Sequence, residues 1–244
     1  MNAPLSEHFE AVTPYHSRLY GDTPLSEEET AELSFLLRSF RSSESYRETL
    51  AHMRDDLIHE ILGSAHLQDW VTGWEYLPRS TQTEILTQIC DLQAAVQSAW
   101  TNLPFEATKI TWEDKGSIVG TTHFEVGNET AIDDKIILNT QNAGLATSFY
   151  SALEALVHEQ HHQFHNQLAR FYNTGRIETD HPLYGDAEYF SALWEKRTFF
   201  RVSPFYEDQL DERNAILFGQ KVFEGVRNQI RRACLAKSHA LDHS

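Results

Sequence analysis

Cysteine is scarce in this chain: Cys90 and Cys234 are the two in 244 residues. Two thiols cannot staple a chain of this length into a disulfide framework, so a reducing, cytoplasmic setting is expected. Basic residues are also few, 20 Lys and Arg against 36 Asp and Glu, for a formal charge of −16. That balance repels phosphate backbones and anionic lipid, which argues against nucleic acid or a membrane surface as partner. The one dense basic run, residues 227–232, reads as the solvated face of a helix carrying cations near its C-terminus. No stretch approaches about eighteen apolar residues, and residues 1–8 lack the positive start and apolar run of a secretion signal. An effector delivered by a specialised injection machine would share these features. With 41% hydrophobic residues the composition suits a packed core of ordinary enzyme size.

A different absence marks the centre of the chain. Between residues 147 and 172 there is neither Pro nor Gly, while Leu153, Leu156, Val157, Phe164, Leu168 and Phe171 fall on one helical stripe. On that helix stands His158-Glu159-x-x-His162. Residues four apart lie one turn apart on the same face, so His158 and His162 can chelate one ion together. Glu159 projects beside them, where it can take a proton from a water held on the metal. Zinc lowers that water's pKa from about 15.7 to roughly 7 and polarises a carbonyl, which is hydrolytic chemistry. With 13 histidines in the chain, such a spacing needs its amphipathic helix as context, and the stripe supplies it. His158 and His162 lie well round from the stripe. The competing reading is a solvated histidine-rich face, since His161 and His165 share the arc.

One helix cannot complete such a site, because catalytic zinc wants a third protein ligand and an open position. Leu168 stands six past His162, where the long metzincin signature has histidine. Cys90 lies in a helical stretch, not on the strand from which a deformylase-like site draws its cysteine.

The rest of the chain predicts an α+β fold, mostly helical, with residues 1–103 a helical N-terminal region and 104–244 the domain bearing the motif. Residues 1–22 are ambiguous, with Pro14 and Gly21 as breaks. Ser26 and Glu29 form a capping box that opens a helix over 27–41. A second helix spans 45–63, and Thr81 with Glu84 opens a third that ends near Pro104. Trp70 and Trp74 read as core aromatics before a binding platform. His52 and His59 are two turns apart, too far to share an ion unaided. Alternation and β-branched residues then predict strands around Ile110 and Trp112, over 118–126 after a hairpin at Gly116, and, past a turn at Gly127-Asn128, over 135–139. His123 reads as a solvent-facing strand histidine. A loop at Asn142-Ala143-Gly144 leads into the motif helix, and an edge strand beside a metal can hold an extended peptide.

Downstream carboxylates supply the third-ligand candidates. In a segment over 185–200, Glu188 and Glu195 lie away from Phe190, Leu193 and Trp194. In a final helix over 207–236, Glu212, Ala215, Ile216, Gly219, Phe223, Val226 and Ile230 fall on one stripe, so Glu212 heads a buried face. A carboxylate there carries a heavy desolvation cost unless a cation meets it. Zinc is one such cation; Arg170 or Arg176 in a salt bridge is the alternative. Ala215 and Gly219 would let this helix pack closely on a neighbour such as the His158 helix. Glu188 is the second choice.

His158-Glu159-x-x-His162, followed by Tyr206-x-x-Gln209-x-x-Glu212-x-x-Ala215-x-x-Phe218-Gly219, resembles the gluzincin-type zincin metallopeptidases. It is especially similar to zincin-like domains of bacterial toxins, effectors and phage proteins. The likeness covers residues 105–230. It implies His158, His162 and Glu212 as zinc ligands, Glu159 as general base and acid, and a zincin-like domain that cleaves a protein or peptide substrate. The separation of His162 and Glu212 is longer than in thermolysin-like enzymes. Peptidases of this kind also present a donor to the developing oxyanion, for which Tyr206, His181 and Tyr184 are candidates, Tyr206 being nearest Glu212 in sequence. His181 could instead serve as a third histidine ligand, as in SprT-like proteases, although the acidity of this chain argues against their DNA partner. A catalytically silent zincin-fold binding module is the alternative function, disfavoured because Glu159 has no structural use beside a metal. A di-iron bundle would need a second Glu-x-x-His on another helix, and none is suitably placed.

Overall fold

A computed structural model describes residues 5–20, 24–114, 135–195, 200 and 204–242. The predicted strand over 118–126, its turns at Gly116 and Gly127-Asn128, and His123 lie outside the described residues. Among those described, the chain is mostly helical with one two-stranded parallel sheet, which is compatible with an α+β class. The chain divides into two compact units, one of residues 1–49 with 164–216 and the other of residues 50–163 with 217–244.

The first unit contains α1 (Leu5–Leu19), α2 (Glu27–Ser39), α8 (Tyr184–Glu195) and α9 (Phe205–Asp208). The ambiguous N-terminus is helical straight through Pro14, which stands in the exposed C-terminal half of α1. Its His8 and Phe9 are buried, because His8 stacks on Phe40 at 4.4 Å and Phe9 on Tyr189 at 5.6 Å. The capping box is present in full: Glu29 N donates to Ser26 Oγ, and Ser26 N donates to Glu29 Oε2. At the other end of α2, Arg213 donates to the carbonyls of Leu37, Arg38 and Phe40, groups that a helix C-terminus leaves without partners. Asp186, in the first turn of α8, accepts from both N and Oγ of Ser43, and that hydroxyl accepts from Tyr46 N to start α3 (Glu44–Leu62).

The second unit is organised around α5 (Arg79–Thr101) and β1 (Lys109–Glu113). The predicted capping box at Thr81 and Glu84 does not open α5. Pro78 is the N-cap, with φ −56° and an extended ψ of 147°, and the helix starts at Arg79. Asn102, in the left-handed region at φ 57°, ends it. The chain then doubles back: Phe105 N donates to Ser98 Oγ, and Trp112 Nε1 donates to Thr83 Oγ1 fifteen residues earlier on the helix. β1 pairs in parallel with β2 (Lys135–Asn139), in register from Lys109 opposite Lys135 to Glu113 opposite Asn139. The strands around Ile110 and over 135–139 therefore form. Where the sequence predicts a loop, Asn142 caps a single short helix, α6 (Ala143–Thr147), by accepting from Leu145 N. Trp74 is buried against Phe149 and donates Nε1 to Leu145 O, so it serves the core. His52 stacks on Trp100 at 4.4 Å.

Candidate metal centre

The motif helix is α7 (Phe149–Asn173), and every member of its predicted stripe is buried. The opposite arc is not a solvated face. His161 is 0% and His165 2% exposed, and Glu159, Gln160, His162 and Gln163 are buried with them. Two of its imidazoles, His161 and His165, pack against specific neighbours. His161 stacks on Phe218 at 4.6 Å, and His165 stacks on Phe190 at 3.9 Å with its Nε2 2.6 Å from the Tyr46 hydroxyl. Burial, reinforced by the neighbouring His162 and His158, holds the His161 pKa well below the usual imidazole range, so it is neutral and structural.

His158 and His162 turn their Nε2 atoms toward each other, 3.1 Å apart, with rings inclined at 78°. Glu159 Oε1 lies 3.7 Å from His158 Nε2, and its carboxylate is buried. Opposite runs α10 (Leu210–Asp242), whose Asp211 and Glu212 complement the positive helix start. Its contacts with α7 pair Tyr150 with Phe223, His158 with Gly219 and His161 with Phe218, so the two helices are antiparallel. Glu212 is two turns before Gly219 and 1% exposed. One ligand atom each from His158, His162 and Glu212 lies within 4.8 Å of the other two, and among the described residues this is the one group of three His, Cys, Asp or Glu able to hold a metal ion.

The donor set fits such an ion. Two nitrogens sharing a tetrahedral zinc at roughly 2.0–2.1 Å lie about 3.3–3.4 Å apart, close to the 3.1 Å observed here. A cation at that point would also offset the cost of enclosing the Glu212 carboxylate.

The other candidates have other roles. Glu188 accepts from the Tyr172 hydroxyl at 3.3 Å, and His181 Nδ1 accepts from Leu183 N at 3.1 Å. Neither belongs to the group of three. Arg176, one proposed salt-bridge partner for Glu212, is exposed with its guanidinium 5.0 Å from the Phe171 ring. Tyr206 is half-buried on α9, and its backbone carbonyl accepts from Gln209 Nε2. Tyr184 starts α8, its ring 5.2 Å from that of Tyr172. The Tyr46 to His165 contact is the feature that sequence reasoning missed: the partners are 119 residues apart and neither stands in a motif.

Compared with models of known protein families, with curated proteins and with solved structures, the chain matches none of them.

Proposed function

We propose that this protein is a zinc-dependent metallopeptidase of the gluzincin kind, acting on a protein or peptide substrate. The observation that carries the reading is the convergence of His158, His162 and Glu212, with the Glu159 carboxylate 3.7 Å from His158 Nε2. His158, His162 and Glu212 would hold zinc, each through one ligand atom. Bound there, zinc supplies a Lewis acid and brings the pKa of water from about 15.7 to near 7.

Glu159 is the proton carrier. Its carboxylate takes a proton from the attacking water as the oxygen forms a bond to the peptide carbonyl carbon. It then delivers that proton to the amide nitrogen as the carbon–nitrogen bond breaks, so the residue returns to its starting state.

The test is metal analysis beside a digestion assay. Purified protein should carry close to one zinc per chain and degrade an unfolded protein such as denatured casein. Glu159→Gln should keep the zinc and lose the cleavage. A folded wild type that binds no zinc would sink the proposal. A zinc protein whose activity in the cell is unchanged by Glu159→Gln is a binding module instead.

A further inference from the structure

Gly219 stands in the interior of α10, where glycine is the poorest helix former other than proline. Its neighbours give a reason for the choice. A Cβ built on it would lie 3.2 Å from the Glu154 carbonyl oxygen, 3.3 Å from His158 Cβ and 3.4 Å from His158 N. All three atoms belong to α7 and none is the loose end of a side chain. They cannot swing aside as a side-chain tip can, so a Cβ at position 219 is accommodated by the two helices shifting apart by a few tenths of an ångström. One of the atoms is the Cβ that carries a metal-binding imidazole, and the helix being moved is the one that carries Glu212.

We infer that Gly219 is a positioning residue for the metal centre: by letting the α10 backbone touch α7 at His158, it sets the spacing at which Glu212 can share a ligand position with the two imidazoles. The inference rests on the reading of Glu212 as third ligand. It separates Gly219 from Gly225, six residues further along the same helix. The three atoms nearest a Cβ on Gly225 all belong to the side chain of Ile58 on α3, not to α7. One glycine therefore governs the site, and the other accommodates the half-buried side chain of Ile58.

The roles predict opposite effects on fold and site. Alanine is the better helix former, so Gly219→Ala should keep the metal-free fold, while the displaced carboxylate weakens zinc binding by about 10- to 100-fold, the range seen when groups supporting a metal ligand are removed. The experiment is a zinc competition titration against a chromophoric chelator on full-length wild type, Gly219→Ala, Gly225→Ala, Glu212→Ala and the Gly219→Ala/Glu212→Ala double variant. Each metal-free form is melted in parallel, and each cobalt-loaded form has its visible absorption recorded. Gly219→Ala should lose affinity, Gly225→Ala should match wild type, and Gly219→Ala should have no further effect once Glu212 is gone. The cobalt spectrum of Gly219→Ala should shift toward that of Glu212→Ala. Wild-type affinity in Gly219→Ala, equal losses in both glycine variants, additive losses in the double variant, or a Gly219→Ala chain that fails to fold each overturns the inference. A wild type that takes up no zinc overturns instead the metal reading beneath it.

Discussion

Glu212→Gln keeps the shape of the side chain and removes its charge, so its consequence can be worked through the link between metal binding and stability. A ligand that binds only the folded chain stabilises it by RT ln(1 + [L]/Kd), about 2.7 kcal/mol at a free zinc concentration 100 times Kd. For chains of roughly 150–250 residues each kcal/mol moves the melting temperature by about 2–4 °C, so zinc at that level should raise the wild-type melt by roughly 5–11 °C. Removing a residue that supports a metal ligand costs about 10- to 100-fold in affinity, and replacing the ligand itself should cost at least the upper figure. The same zinc concentration then stands near Kd, and the stabilisation falls to RT ln 2, about 0.4 kcal/mol or 1–2 °C. The assay is differential scanning fluorimetry across a buffered zinc series, with a chelator to reverse the shift. Glu188→Gln and His181→Ala are the controls: Glu188 is occupied by Tyr172, His181 by Leu183 N, and neither belongs to the group of three. Both should keep the full wild-type shift. An undiminished shift in Glu212→Gln, or its loss in either control, would refute the assignment of the third ligand.

Other outcomes are as definite. Tyr206→Phe tests the candidate oxyanion donor: if that hydroxyl serves the reaction, kcat on casein should fall by about 10²- to 10³-fold with zinc content unchanged, whereas unaltered kinetics would remove Tyr206 from the mechanism. Burial, and secondarily the Arg213 charge, lower the His8 pKa from 6.5 to about 4. The folded state therefore favours neutral His8, and its stability is complete above pH 6.5 and declines as the pH falls toward 4, by about 3 kcal/mol in total at about 1.36 kcal/mol per unit. Urea unfolding of the metal-free protein at several pH values should show that decline, and His8→Phe should flatten it; identical pH profiles would exclude His8 as its source. Arg213→Met withdraws the charged donor from three carbonyls at the end of α2 and should destabilise by about 2–3 kcal/mol in the same assay.

Local signals carried well where they depend on a few neighbouring residues. The capping box at Ser26 and Glu29 and the Pro- and Gly-free run of α7 are of this kind, and helices stand there. The stripe on α10 is similar: Glu212 is buried at its head, and Gly219 makes the close approach to α7 that its size suggested. What failed was local evidence outweighed by a stronger neighbour. Thr81 and Glu84 have capping-box spacing, yet the helix already starts at Arg79, with Pro78 as its N-cap. Pro14 looks like a break, yet the burial of His8 and Phe9 on one side carries the helix past it.

By itself, then, the order of residues determined that α7 forms and buries its apolar stripe, and that His158, Glu159 and His162 share one arc of it, because helical periodicity is a property of neighbours a few residues apart. Only the tertiary structure decided that the arc is enclosed, that His165 meets Tyr46 across 119 residues, and that Glu212, not Glu188 or His181, stands within 4.8 Å of both imidazoles. These depend on how two helices cross. A crossing is set by the atoms in contact at one point, here the bare backbone of Gly219 against His158, and no spacing along the chain encodes it.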